Sequence, residues 1–219
     1  VKSNNAHAGI ALDGDADRIV LVDEKGKVVD GDQILGALAN AWLKTDELNG
    51  GGIVTTVMSN LGLEIYLNSK GLKLCRTHVG DRYVLEYMRQ HGYNLGGEQS
   101  GHIILSDYAS TGDGIIAALQ ILSIALTEGK SISDVTCLFD PVPQLLRNIK
   151  VKDANKFDDT ILRSISETAE KQIGKMGRVL IRKSGTEEVI RVMVESEDEV
   201  LMLKLVDDIN SKLLECEAK

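Results

Sequence analysis

Three aspartates separated by single small residues, Asp13-Gly14-Asp15-Ala16-Asp17, followed directly by Arg18, are the densest chemistry in this 219-residue sequence. Alternating carboxylates in a tight loop can converge on one hard cation, because Mg²⁺ and Ca²⁺ take oxygen ligands and negative charge. Residue types alone leave several readings open. As a calcium loop, Asp13, Asp15 and Asp17 take the first, third and fifth positions and Glu24 the twelfth, but Arg18 stands where that loop needs Gly and the flanks read as strands. A phosphatase with an aspartate nucleophile places an Asp-x-Asp pair after an apolar strand; Asp13 and Asp15 suit it, although the Thr or Val usual two residues later is missing. A solvated acidic turn is the plainest reading, and it leaves Arg18 unexplained.

Two further loops carry convergent polar groups. Gly97-Glu98-Gln99-Ser100-Gly101-His102 sets oxygens between glycines, which let a backbone approach a ligand closely; a purely structural turn would read the same way. Arg182-Lys183-Ser184-Gly185-Thr186 follows a strand and combines two cations, two hydroxyls and a Gly, a phosphate cradle that needs no metal. Arg191 lies on the next strand. Thr77-His78-Val79-Gly80-Asp81-Arg82 opens a helix, and His78 is of a type suited to proton transfer near neutrality. A capping turn with an exposed His is the alternative.

Composition narrows the setting. The net charge of −8 argues against nucleic-acid binding by bulk electrostatics, and 43% apolar residues can build cores. Cys75, Cys137 and Cys216 are odd in number and lack CxxC spacing, so neither a disulfide framework nor a zinc site is expected, and a cytoplasmic setting fits. No apolar stretch is long enough to span a membrane.

The elements that must hold these loops follow from periodicity. Ile19–Val22 and Val28–Val29 read as a hairpin across Lys25-Gly26. Leu35, Leu38, Ala39 and Trp42 make a helix face. From Ile53 strands alternate with helices: strand 53–57, a helix ending near Gly71, strand 72–75, a helix from Asp81 to Gly92, strands 94–95 and 103–105, and a long helix from Asp113 to Thr127 closed by Gly129. The only prolines, Pro141 and Pro143, mark a linker. Beyond it come strand 146–151, helix 155–172, strands 178–181 and 189–194, and a last helix striped by Met202, Leu205, Val206, Ile209 and Leu213. The fold class expected is α/β with a mixed sheet, followed by a small α+β domain.

Taken in order, the Asp13–Arg18, Gly97–His102 and Arg182–Thr186 loops resemble those of the α-D-phosphohexomutases over nearly the whole chain. The resemblance implies that Asp13, Asp15 and Asp17 ligate one Mg²⁺ together with a phosphoserine, and that Arg18 lies beside the transferring phosphoryl group. Glu98, Gln99, Ser100 and His102 would bind the sugar. The Glu-Gln-Ser form is similar to the phosphoglucosamine mutase branch, Glu-Met-Ser being usual in the phosphomannomutase and phosphoglucomutase branch. Arg182, Ser184, Gly185, Thr186 and Arg191 would hold the non-reacting phosphate, with Glu188 replacing the usual Pro. His78 and Arg82 are its candidates for proton handling or phosphate orientation.

The same resemblance divides the chain into residues 1–29, the end of a second domain carrying the metal loop; 30–140, an α/β/α sugar-binding third domain; 141–147, a linker; and 148–219, a phosphate-binding fourth domain. The nucleophile loop, of Ser-His-Asn-Pro type, is expected in an N-terminal domain, because neither proline here follows His-Asn. The implied activity interconverts glucosamine 6-phosphate and glucosamine 1-phosphate through a 1,6-bisphosphate, for amino-sugar and cell-wall precursor synthesis, with the chain inactive by itself. Expected partners are a hexosamine phosphate, the missing N-terminal domains and a second copy in a homodimer, with no nucleic acid and no membrane. An aspartate-nucleophile phosphatase and a non-catalytic sugar-phosphate-binding module are the readings from other classes.

Overall fold

A computed structural model describes residues 1–174, 177–184 and 187–217. The chain forms two compact units, Val1–Asp140 and Pro141–Lys219. In the first, β1 (Gly9–Leu12), β2 (Ile19–Val22) and β3 (Val28–Val29) make an antiparallel sheet in that order. The expected hairpin is β2–β3, and the apolar run before the aspartates adds β1 to it. α1 (Gly31–Thr45) is capped by the Asp30 side chain accepting from the Gln33 amide, and it buries Ile34, Leu35, Leu38 and Trp42. Each such side chain contributes about 1.5–3 kcal/mol.

The central sheet has the order β5-β4-β6-β7, made of β4 (Gly52–Thr56), β5 (Lys73–Thr77), β6 (Leu95–Gly97) and β7 (Ile103–Leu105). β4 pairs in parallel with β5 and β6, while β6 and β7 are antiparallel. Adjacent residues of β4 face opposite sides: Ile53 joins the core under α1, and Val54 joins Val84 and Met88 of α3 (Asp81–His91). α2 (Leu61–Ser69), α4 (Gly114–Glu128) and α5 (Ile132–Thr136) complete this α/β unit. Parallel strands with helices on both faces bind ligands outside their carboxyl ends. The loops after Thr56, Thr77 and Gly97 all lie at that edge.

The second unit is a small α+β domain: β8 (Gln144–Lys150), α6 (Asp159–Ile173), β9 (Gly177–Lys183), β10 (Val189–Ser196) and α7 (Glu199–Glu217), with the antiparallel order β8-β10-β9. The stripe from Met202 to Leu213 is buried as its spacing requires. Boundaries moved where capping outweighed hydrophobic pattern. α6 starts at Asp159 because Asp158 accepts from the Ile161 amide, leaving 154–156 as a single turn. β8 begins at Gln144, inside the stretch read as a linker, because it pairs along β10 from Gln144 to Lys150. β6 runs to Gly97 rather than stopping at Leu95, and residues 1–29 pack as one unit with the following residues. Among the described residues no helix is long and apolar enough to cross a membrane.

Candidate active site

The Asp13–Arg18 loop closes on itself. Arg18 donates its amide to Asp13 Oδ1 at 3.2 Å, the Ala16 amide donates to the Asp13 carbonyl, and Ala16 takes φ 61°. The amide of Gly114, the first residue of α4, donates to the Ala16 carbonyl at 3.0 Å. Asp113 caps that helix end by accepting from the amides of Ile115 and Ile116. The loop is thereby fastened to a rigid element, and the carboxylates of Asp13, Asp15 and Asp17 offer oxygens within 4.8 Å of one another.

Arg18 bridges two of them, its Nε 2.7 Å from Asp13 Oδ2 and 3.5 Å from Asp17 Oδ1. Burial works to raise the Asp13 carboxyl, but the Arg18 amide and guanidinium overcome it and hold the group below its usual range. Clustered hard oxygens that draw a guanidinium between them fit a divalent cation of the Mg²⁺ type, with Asp13, Asp15 and Asp17 as its protein ligands.

The Glu98–Gly101 turn is tied directly to this loop. The Ile19 amide donates to the Gly101 carbonyl at 3.1 Å, and Arg18 and His102 form an antiparallel bridge. His102 is buried, and its Nδ1 lies 3.1 Å from Asp17 Oδ2. Its Nε2 finds no hydrogen-bond partner among the described residues; Asp81 Oδ2 is 3.8 Å away. Gly112 lies so close to the imidazole that a Cβ there would collide with it.

Glu98 Oε1 accepts from the Gly80 amide at 3.0 Å, at the start of α3, and Oε2 lies 3.4 Å from Ser100 Oγ. Glu98, Gln99 and Ser100 line a cavity of about 290 Å³ with Thr56, Met58 and Val79. Of the other expected residues in this unit, His78 is exposed, its ring edge-on to Tyr83, and Arg82 pairs with Glu86 at 2.8 Å on the helix surface.

In the second unit Arg182 and Arg191 sit directly opposite each other on β9 and β10. Burial, together with the like charge of Arg191, lowers the Arg182 pKa. Arg191 reaches toward Ser184 Oγ at 3.4 Å and Glu187 at 3.5 Å, while its Nε has no partner among the described residues. Two arginines opposed across a ladder repel unless an anion joins them. Gly185 and Thr186 lie outside the described residues. Glu188 accepts from the Ala154 amide at 2.6 Å. Inorganic phosphate at ten times its dissociation constant is expected to stabilise this unit by about 1.4 kcal/mol. Thermal melts should show the shift in the parent chain and lose most of it in Arg182→Gln.

What spacing did not indicate is the pairing of Asp17 with His102, which arises only when β2 and the Glu98–Gly101 turn are bridged. The buried Asp32 at the start of α1 also carried no sequence signal beyond helix-start acidity.

Comparison with known proteins agrees with this fold. Residues 30–141 match the phosphoglucomutase/phosphomannomutase alpha/beta/alpha domain III, and residues 146–212 match the C-terminal domain of the same proteins. The chain is 56% identical over 204 residues to a phosphoglucosamine mutase of Brucella anthropi, covering 93% of this chain and 45% of that protein. It is also 56% identical over 209 residues to one of Parvibaculum lavamentivorans, covering 95% and 47%. The chain thus spans about half the length of the curated relatives it matches. In fold it is similar to a phosphoglucomutase/phosphomannomutase family protein of Burkholderia thailandensis, with TM-score 0.79, 22% identity, and coverage of 98% of this chain and 48% of that one. It is likewise similar to Aspergillus fumigatus N-acetylphosphoglucosamine mutase in complex with GlcNAc-6P and magnesium, with TM-score 0.76, 21% identity, and coverage of 93% and 51%.

Proposed function

The chain belongs to the α-D-phosphohexomutase superfamily, and from that premise we propose that it supplies the metal, sugar and phosphate loops of a phosphoglucosamine mutase acting on glucosamine 6-phosphate in the cytoplasm. The observation that carries this reading is the fastening of the carboxylate trio to the Glu98–His102 turn through the Arg18–His102 bridge and the Ile19–Gly101 hydrogen bond. One structural unit thereby offers metal ligands, a buried imidazole and hydroxyl-binding oxygens side by side.

A bound Mg²⁺ supplies charge neutralisation for the transferring phosphoryl group. The remaining work falls to the chain's own side chains. Glu98 and Ser100 take sugar hydroxyls, with Gln99 beside them, and Arg18 faces the phosphoryl oxygens with its planar fork. Arg182, Ser184 and Arg191, with Gly185 and Thr186, hold the phosphate that does not react. His102 takes the proton of the attacking hydroxyl: with Nδ1–H directed at Asp17, the Nε2 lone pair is the acceptor. Its place beside the aspartates favours it over His78 and Arg82, which lie on the surface of α3 or the turn before it, away from the carboxylate trio's own contacts.

The nucleophilic phosphoserine is supplied by sequence outside these 219 residues, which hold no Ser-His-Asn-Pro loop. After transfer, a glucosamine 1,6-bisphosphate returns its other phosphate to that serine, leaving glucosamine 1-phosphate.

Titration calorimetry and a coupled turnover assay test the reading together. The chain alone is expected to bind glucosamine 6-phosphate and to show no turnover; with the N-terminal half of a relative added, turnover should appear. Turnover by the chain alone would refute the division of labour. Hydrolysis of a generic aryl phosphate, abolished in Asp13→Ala, would point to a phosphatase instead, and binding that stays inert after the other half is supplied would point to a binding module.

A further inference from the structure

Asp32 is a carboxylate with 1% of its surface exposed, in the first turn of α1, and none of the chemistry above uses it. Its Oδ2 accepts from the Asn60 amide at 2.7 Å, and Asn60 in turn caps α2 by accepting from the Gly62 amide. The Ser59 hydroxyl lies near enough to favour the charged form, yet Oδ1 finds no partner within hydrogen-bond distance among the described residues. A buried carboxylate left this incompletely paired is costly, so its place in the fold calls for a reason beyond stability.

The neighbouring residue supplies the reason. The Gly31 amide donates to the Gln99 carbonyl at 3.0 Å, and α1 lies so close to the Glu98–Gly101 turn that a Cβ on Gly31 would collide with the Glu98 carbonyl. Two consecutive residues of one helical turn therefore hold two walls of the 290 Å³ cavity: Gly31 holds the turn with Glu98, Gln99 and Ser100, and Asp32 holds the loop that carries Met58.

We propose that Asp32 is a positioning residue whose charge sets the spacing of these two walls, and thereby the affinity of the cavity for a phosphorylated sugar. This rests on the function proposed above. Ionised, Asp32 draws the Asn60 amide and the Met58 loop onto the first turn of α1; protonated, it accepts more weakly and the loop is released toward solvent.

The groups facing it make that change accessible. Burial pushes the carboxyl up to about 7, with Asp30 on its own helix end adding to the rise. The Asn60 amide, the Ser59 hydroxyl and the Arg76 guanidinium of β5 oppose it. Arg76 is itself engaged, donating to the Ser59 carbonyl at 3.2 Å and pairing with Glu64 of α2. Because the folded-state value exceeds the ordinary 3.8, the stability Asp32 contributes is full below that value and declines as pH rises through about 7.

Amide NMR of the 219-residue chain between pH 5.5 and 8.5 tests this without a ligand. The Asn60, Gln99 and Ser100 amides are expected to shift together with one midpoint near 7, and Asp32→Asn should abolish that shared titration while the fold and all other amides stay in place. In parallel, glucosamine 6-phosphate binding by wild type and Asp32→Asn is compared at each pH. Ionisation of the ligand's own phosphate is common to both proteins and cancels in the affinity ratio, which should rise from about 1 near pH 5.5 to between about 3 and 10 at pH 8.5. Gln99 and Ser100 amides that ignore the Asn60 titration, or a ratio flat with pH, overturn the proposal. If neither protein binds any sugar phosphate, the function proposed above fails and the amide titration alone decides the role of Asp32.

Discussion

His102→Gln, placed in a mutase completed by its N-terminal half, is expected to lower kcat by about 10²- to 10⁴-fold, the range for a lost general base. KM and the Mg²⁺ concentration for half-maximal activity should stay near their parental values. The split follows from position. Gln can turn its one amide nitrogen toward Asp17, so the carboxylate trio stays oriented, but it has no basic lone pair to accept the hydroxyl proton. Asp17→Asn should behave differently, losing turnover and metal dependence together, because Asp17 both faces the other aspartates and orients His102. Steady-state kinetics across a magnesium series separates the two patterns. A fall of less than tenfold in His102→Gln would remove the imidazole from the chemistry and return attention to His78 and Arg82.

The contrast between Asp17 and His102 also shows how far the sequence could be read. The three loops were legible because each is contiguous: the chemistry of Asp13–Asp17, Glu98–Ser100 and Arg182–Ser184 is written in neighbouring residues, and strand and helix periodicity located the elements carrying them. The interactions that make one site of the first two are separated by 85 or so positions along the chain, a distance no local pattern encodes. They arise when β2 meets the turn after β6, and nothing in Gly101-His102 by itself announces that the neighbouring backbone will be Ile19.

Element ends were misjudged for a related reason. The Gly96-Gly97 end of β6 has poor strand propensity and is held by pairing with Ile103 and Ile104 of β7. α6 waits for Asp158 although apolar spacing begins earlier. Asp32 was invisible as a buried group because an acidic residue at a helix start is ordinarily solvated and favourable there. Its contact with the Asn60 amide, 28 residues on, is one that no local pattern encodes.

If the bridge between β2 and the Glu98–Gly101 turn makes the site, then Gly101→Ala is the substitution that should take it apart. Gly101 has φ 94°, donates its amide to the Glu98 carbonyl at 3.0 Å and accepts from the Ile19 amide at 3.1 Å. An added Cβ would strike the Ile19 carbonyl, so alanine has two burdens: a left-handed backbone and a backbone collision that no side-chain rotation relieves. Together these should cost about 2–4 kcal/mol in urea denaturation. Gly51→Ala provides the reference, since Gly51 has φ 70° with nothing within 4 Å of its added Cβ and should cost only the conformational part, about 1 kcal/mol. The functional loss should exceed the stability loss. Relieving the collision means drawing β2 away from the turn, which breaks the Arg18–His102 bridge and parts Asp17 from the imidazole while the cores around Leu35 and Val54 remain closed. Gly101→Ala should therefore stay folded below the transition, yet fail to bind glucosamine 6-phosphate and show no His102 resonance sensitive to added Mg²⁺. Equal costs for the two variants would mean that the turn can yield without strain, and the fastening of the two loops would then be incidental to the site.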